Sequence, residues 1–224
     1  MTFSLVGRCA RTGQVGTAVT SSSPAVAARC AHARAGAGAA ASQNVTDPRL
    51  GPAVLDQLAA GRPAQQAVDA ALAKAPGAAY RQVTAVDESG GTGAFSGAHT
   101  LGTNAVAHRP GAVAAGNLLA SAGVPEAMVA AFAAGADLPL GARLLAGLRA
   151  GLEAGGEEGP VRSAGLLVCD RVEWPVVDLR VDWDDNPIGR LAELWTLWEP
   201  QISDYVTRAL DPGSSPSFGV PGDR

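Results

Sequence analysis

The sequence predicts an α+β layered domain, in which strands are joined as hairpins and helices arrive in pairs. Three observations carry this. Short apolar runs flank glycine-containing turns two at a time. Helical segments follow them in pairs. Strand and helix never alternate singly, as a doubly wound parallel sheet would require. The 224 residues suit one domain, residues 1–210, followed by a Pro-, Ser- and Gly-rich stretch, 211–224, expected to be a disordered tail. Hydrophobic residues at 47% and charged residues at 17% fit an ordered globule.

The elements follow in order. Phe3, Leu5 and Val6, the turn at Arg11-Thr12-Gly13 and the run Val15–Val19 predict a β-hairpin. Residues 31–41 are almost all Ala and Gly around His32 and Arg34, which implies backbone packed closely against another layer. Val54, Leu55 and Leu58 mark a helix over 53–60 that ends at Gly61, and Pro63 opens a second over 63–75. Strands are expected at 80–87 and 92–97 around Ser89-Gly90-Gly91, and at 103–108 and 112–116 around Arg109-Pro110-Gly111. Pro125 starts a helix with Met128, Val129 and Phe132. Leu140, Leu144, Leu148 and Leu152 then give the next helix an apolar face. After a glycine-rich turn at 155–159, residues 164–170 and 176–182 predict a last strand pair, and Pro187 opens a helix carrying Leu191, Leu194, Trp195 and Trp198.

Several classes of function are excluded. A net charge of −4 argues against general nucleic-acid binding. No apolar run approaches the roughly 18 residues of a membrane span, and Met1–Val6 has no basic leader before a long apolar stretch, so a cytoplasmic protein is expected. Cys9, Cys30 and Cys169 have no zinc spacing and are expected to be reduced. His32, His99 and His108 lack metal partners at helical or hairpin spacing, so no metal or cofactor is expected. Gly36–Ala41 imitates a dinucleotide fingerprint, but Asn44, Asp47 and Pro48 break the helix that such a site needs. Asp182, Asp184 and Asp185 read as a solvated loop with one residue capping the helix at Pro187. No G-x-S-x-G elbow is present.

The start of the chain is the informative feature. Methionine is ordinarily trimmed before a residue as small as Thr2. Thr2 would then carry a hydroxyl and a free amine of pKa about 7.7–8.0, able to act as general base for its own hydroxyl. Taken alone, a Met-Thr start is common and in most chains carries no function.

Thr2-Phe3-Ser4-Leu5-Val6, Gly16–Val19, Ser21, Pro24-Ala25-Val26, Ala33–Ala39, Gly116-Asn117-Leu118-Leu119-Ala120, Ser163-Ala164 and Val177–Asp182, in this order, resemble a bacterial family named domain of unknown function 1028, of the N-terminal nucleophile (Ntn) hydrolase superfamily. The resemblance runs from residue 2 to about 198. It implies a four-layer αββα sandwich, two mainly antiparallel sheets between helical layers. It implies a hydrolase that cleaves a C–N bond of a small amide, cyclic amide or peptide-like compound. Thr2 would be the nucleophile. Asn117 is either an oxyanion donor or a turn residue. Arg34 stands where proteasome-like relatives carry a lysine; it either lowers the pKa of the Thr2 amine or forms a structural salt bridge. Lys74, the only lysine, sits on an amphipathic helix. Ser21 and Ser163 are further substrate-binding candidates. The expected partner is a small-molecule substrate, with no nucleic acid and no membrane. The alternative is a non-catalytic ligand-binding or assembly protein of the same fold. Trp174, Trp183, Trp195 and Trp198 serve either self-association as a homo-oligomer or core packing.

Overall fold

The computed structural model describes residues 1–222; Asp223 and Arg224, at the end of the expected tail, lie outside the described residues. The chain runs through β1 (Thr2–Arg8), β2 (Val15–Ser21), the short helix α1 (Ala27–Cys30), β3 (Ala31–Arg34) and β4 (Gly38–Asn44). Helices α2 (Leu50–Ala59) and α3 (Ala64–Leu72) precede β5 (Arg81–Asp87), β6 (Thr92–Ser96), β7 (Ala105–Arg109) and β8 (Ala112–Asn117). The helices α4 (Val124–Ala134) and α5 (Leu140–Glu153), the pair β9 (Ser163–Cys169) and β10 (Pro175–Val181), and helices α6 (Pro187–Trp198) and α7 (Ile202–Leu210) complete the chain.

It is a mixed α+β fold with two antiparallel sheets. Six strands pair in the order β10-β9-β2-β1-β8-β7, and four in the order β3-β4-β5-β6. Alternation along β1 divides its side chains between two cores. Phe3 and Leu5 pack with Met128, Phe132, Leu144 and Leu148 beneath α4 and α5. Val6 faces the other way and meets Ala39, Ala41 and Val86 of the smaller sheet. Helices α2 and α3 cover the far side of that sheet through Val54, Leu58 and Val68. The density of small residues at 31–41 is explained here: a Cβ on Gly38 would lie 2.2 Å from the Val86 carbonyl oxygen.

Two readings change in detail. Leu152 does not share the apolar face of α5 and is 42% exposed. Leucines four apart drift by about 40° per step on a helix of 3.6 residues per turn, so the fourth has rotated off the core. The cap of α6 is Asn186, whose side chain accepts from the Gly189 amide, while Asp184 accepts from the Asn186 amide at 2.7 Å. Trp195 and Trp198 pack against the main core, whereas Trp183 is 61% exposed. The three cysteines are buried and free. Among the described residues no helix is long and apolar enough to cross a membrane.

Candidate active site

Thr2 pairs with Ser21 on one side and with Asn117 on the other, and Ser21 pairs with Ser163. Ser163, Ser21, Thr2 and Asn117 therefore form one row across four adjacent strands, β9-β2-β1-β8. Neighbours in such a row are about 5 Å apart and share a face. That face looks toward the smaller sheet, and all four residues are buried. Strand pairing thus gathers four residues spread over more than 160 positions of sequence, because each begins or ends its strand at the same edge of the sheet.

The layer between the sheets is polar at this edge and apolar at the other. Beside Thr2 it holds Ser4, Gln43, Gln82 and Thr84, and farther along, where Thr17 pairs with Val6, it holds Val6, Val15, Ala39 and Val86. The Asn117 amide donates to Gln82 Oε1 at 3.3 Å, and Gln43 donates to the same oxygen at 2.8 Å. Gln82 donates in turn to the Gly116 carbonyl at 3.1 Å and to Ser96 Oγ at 3.0 Å. Asn117 is held from the opposite sheet by this network, and a second amide hydrogen is left for another acceptor. Leu118, the next residue, has φ +51°, a left-handed conformation that turns the chain sharply off β8.

The Thr2 hydroxyl donates to the Met1 carbonyl at 2.5 Å, and its oxygen lies 3.2 Å from Ser21 Oγ. Ser21 Oγ also donates to the Met1 carbonyl, and it lies 2.8 Å from Ser23 Oγ. Arg29 donates to Ser23 Oγ at 2.5 Å and to the carbonyls of Pro24 and Ala25. A guanidinium thus reaches the Thr2 hydroxyl through two serine hydroxyls. Ser163 is used locally: its hydroxyl donates to the Ser23 carbonyl at 2.6 Å and accepts from the Val26 amide. It fixes the loop after β2.

Arg34 is not brought to this row. It lies on β3 opposite Gly38, at the other end of the fold, paired with Asp56 at 2.9 Å on the surface. It lines a cavity of about 710 Å³ with Gly13, Glu88 and Asp170, far from Thr2 along β1. The salt-bridge alternative describes Arg34 as it stands, and Arg29 is the cation on the site side.

Sequence reasoning missed Glu157. It pairs with Leu119 just beyond Asn117 and is 5% exposed. Its Oε2 accepts from the Ser22 amide at 3.2 Å, and among the described residues Oε1 has no hydrogen-bond partner. Burial pushes its carboxyl up to about 7, against the opposing pull of the nearby chain-terminal ammonium. In sequence it is one of two adjacent acids, Glu157 and Glu158, in a glycine-rich turn and carries no signal. Gln43, between Ser42 and Asn44, and Gln82, between Arg81 and Val83, belong to no catalytic motif in the sequence.

No cluster of His, Cys, Asp or Glu suited to a metal ion occurs among the described residues. Residues 2–191 match the model of the family described as "Family of unknown function (DUF1028)". The chain is similar to protein SPO2555 from Silicibacter pomeroyi, whose crystal structure is described with the same family: TM-score 0.83, 33% identity, over 91% of this chain and 89% of that one. No curated protein matches the chain.

Proposed function

The chain belongs to the DUF1028 family, a family of unknown function, and from that premise and the setting of Thr2 we propose that it is an Ntn-type hydrolase of C–N bonds in small amide, cyclic amide or peptide-like compounds. The observation that carries this is the position of Thr2. It is the first residue of a central strand, with a buried hydroxyl hydrogen-bonded to Ser21 and an asparagine side chain directly across the strand. Helices packed outside each of two face-to-face sheets support the αββα arrangement of that superfamily.

Met1 removal converts the Thr2 amide into an amine. A free amine can accept the hydroxyl proton, whereas the peptide nitrogen cannot. The Thr2 oxygen then attacks the substrate carbonyl carbon. Asn117 donates its remaining amide hydrogen to the oxygen that gains charge. The C–N bond breaks, the proton passes from the Thr2 amine to the leaving nitrogen, and water hydrolyses the ester on Thr2. Histidine has no part in this: His32 is packed against Gly51, His99 stacks on Tyr80, and His108 bonds Thr92.

The test has two stages. The intact mass of the purified protein should lack Met1. A β-lactone should then give an adduct that maps to Thr2, with Thr2→Ser labelled slowly and Thr2→Val not at all. Retained Met1, or equal labelling of Thr2→Val, would overturn the reading and leave the non-catalytic binding protein in its place.

A further inference from the structure

Met1 is an aminoacyl group, and its surroundings treat each part of it differently. Its carbonyl oxygen accepts from both Thr2 Oγ1 and Ser21 Oγ. Met1 lies against the segment that carries Glu157: the Glu157 carboxylate accepts from the Ser22 amide, next to the Ser21 hydroxyl that holds the Met1 carbonyl. Its terminal methyl carbon lies 3.3 Å from where a Cβ on Gly159 would stand, so glycine there leaves it room.

Glu157 has no evident structural reason to be an acid. It is buried, and among the described residues one of its carboxylate oxygens has no hydrogen-bond partner and no side chain forms a salt bridge with it. Burying a carboxylate without a cation is costly. Its position is nonetheless fixed closely. The Ala120 amide donates to the Gly156 carbonyl and the Glu158 amide to the Leu118 carbonyl, which fastens the segment beside the end of β8. When Met1 is trimmed its ammonium leaves with it, and the chain's amino terminus moves to Thr2.

We propose that the space Met1 occupies receives the aminoacyl part of the substrate, and that Glu157 binds the substrate's free α-ammonium. The substrate class is then an amino-acid amide or a peptide with a free N-terminus, bearing an unbranched apolar side chain of about methionine's size against Gly159. This rests on Thr2 as nucleophile. Thr2 Oγ1 bonds to the aminoacyl carbon, the amide C–N bond breaks, the hydroxyl proton travels by way of the Thr2 amine to the leaving nitrogen, and water releases the free amino acid from the ester. Glu157 touches the ammonium and takes no proton.

The test uses the full-length, Met1-trimmed protein and three β-lactones at neutral pH. They are the α-amino lactone, its N-acetyl derivative and the neutral isostere α-methyl-β-propiolactone. Rates of adduct formation at Thr2 are read by mass spectrometry and divided by each lactone's hydrolysis rate in buffer. A hydrogen-bonded charge pair predicts that the α-amino lactone labels Thr2 at least ~10-fold faster than either other lactone, and that Glu157→Gln removes the preference. Equal or faster labelling of Thr2 by the N-acetyl or methyl lactone would overturn this substrate class and leave the nucleophile intact. A preference that survives in Glu157→Gln would overturn the role of Glu157. No adduct at Thr2 with any lactone would overturn the nucleophile, and the proposal with it. If Glu157→Gln does not fold, the wild-type comparison of ammonium and methyl lactones decides alone.

Discussion

Asn117 shows how much a single side chain in this site depends on others. Its amide is anchored by Gln82, which is itself anchored by Gln43 and Gly116. Replacing Asn117 with alanine should lower kcat by on the order of 10²–10³ with the melting temperature little changed, the scale of losing one oxyanion donor. Normal turnover in a folded Asn117→Ala protein would make Asn117 a turn residue. Glu157 makes a second prediction, about stability. Its carboxyl rests at about 7 in the fold against an ordinary 4.5. Between those values the folded state holds a proton that the unfolded chain has released. Stability therefore falls as pH rises from about 4.5 to 7 and levels off above, by about 3 kcal/mol at most. Urea melts across that range should show this slope for the wild type, and Glu157→Gln should flatten it. An identical slope in both would place the titrating group elsewhere.

Elements in this protein are set by close backbone approach as much as by large apolar side chains. The joint between α3 and β6 is an example. Asp87, at the end of β5, accepts from the Ala64 amide at 3.0 Å and holds the first turn of α3. A Cβ on Gly93 would lie 2.6 Å from the Ala64 carbonyl and the Gln65 nitrogen, which are backbone atoms. Gly93→Ala should therefore push α3 outward and cost about 2 kcal/mol, roughly 4–8 °C in Tm. An unchanged Tm in a thermal melt would mean that α3 moves aside freely. The predicted strand and helix pairs all correspond to elements of the fold. Apolar alternation and glycine or proline punctuation are local signals, and a hairpin brings together residues that are already neighbours in sequence.

At the scale of the whole molecule, the described part of the last stretch runs back along α7. Arg208 donates to the Pro216 carbonyl at 3.1 Å and lies 3.9 Å from the centre of the Phe218 ring, which meets Tyr205 edge-on at 6.2 Å. These groups are largely exposed, with Phe218 at 55% and Tyr205 at 40%. Deleting residues 211–224 should lower Tm by less than about 4 °C, or roughly 1–2 kcal/mol for a domain of this size. A larger drop in calorimetry would make the stretch part of the fold.

By itself the sequence determined the layered α+β class, the pairing of strands into hairpins and the choice of Thr2, Ser21, Asn117 and Ser163 as residues of interest. Only the tertiary structure decided that these four lie in one row, because their register depends on which strands pair across the sheet. It also separated Arg34 from them and brought Arg29 and Glu157 in. Arg34 and Thr2 begin or end strands at opposite edges, and no local pattern records which edge a strand end will share. Glu157 stands in a turn that reads as solvated, and its burial comes from the segment docking against residues 118–120, some 40 positions earlier. Local chemistry is written in neighbouring residues. The charge that surrounds a nucleophile is a sum over distances in space, and the fold alone fixes those distances.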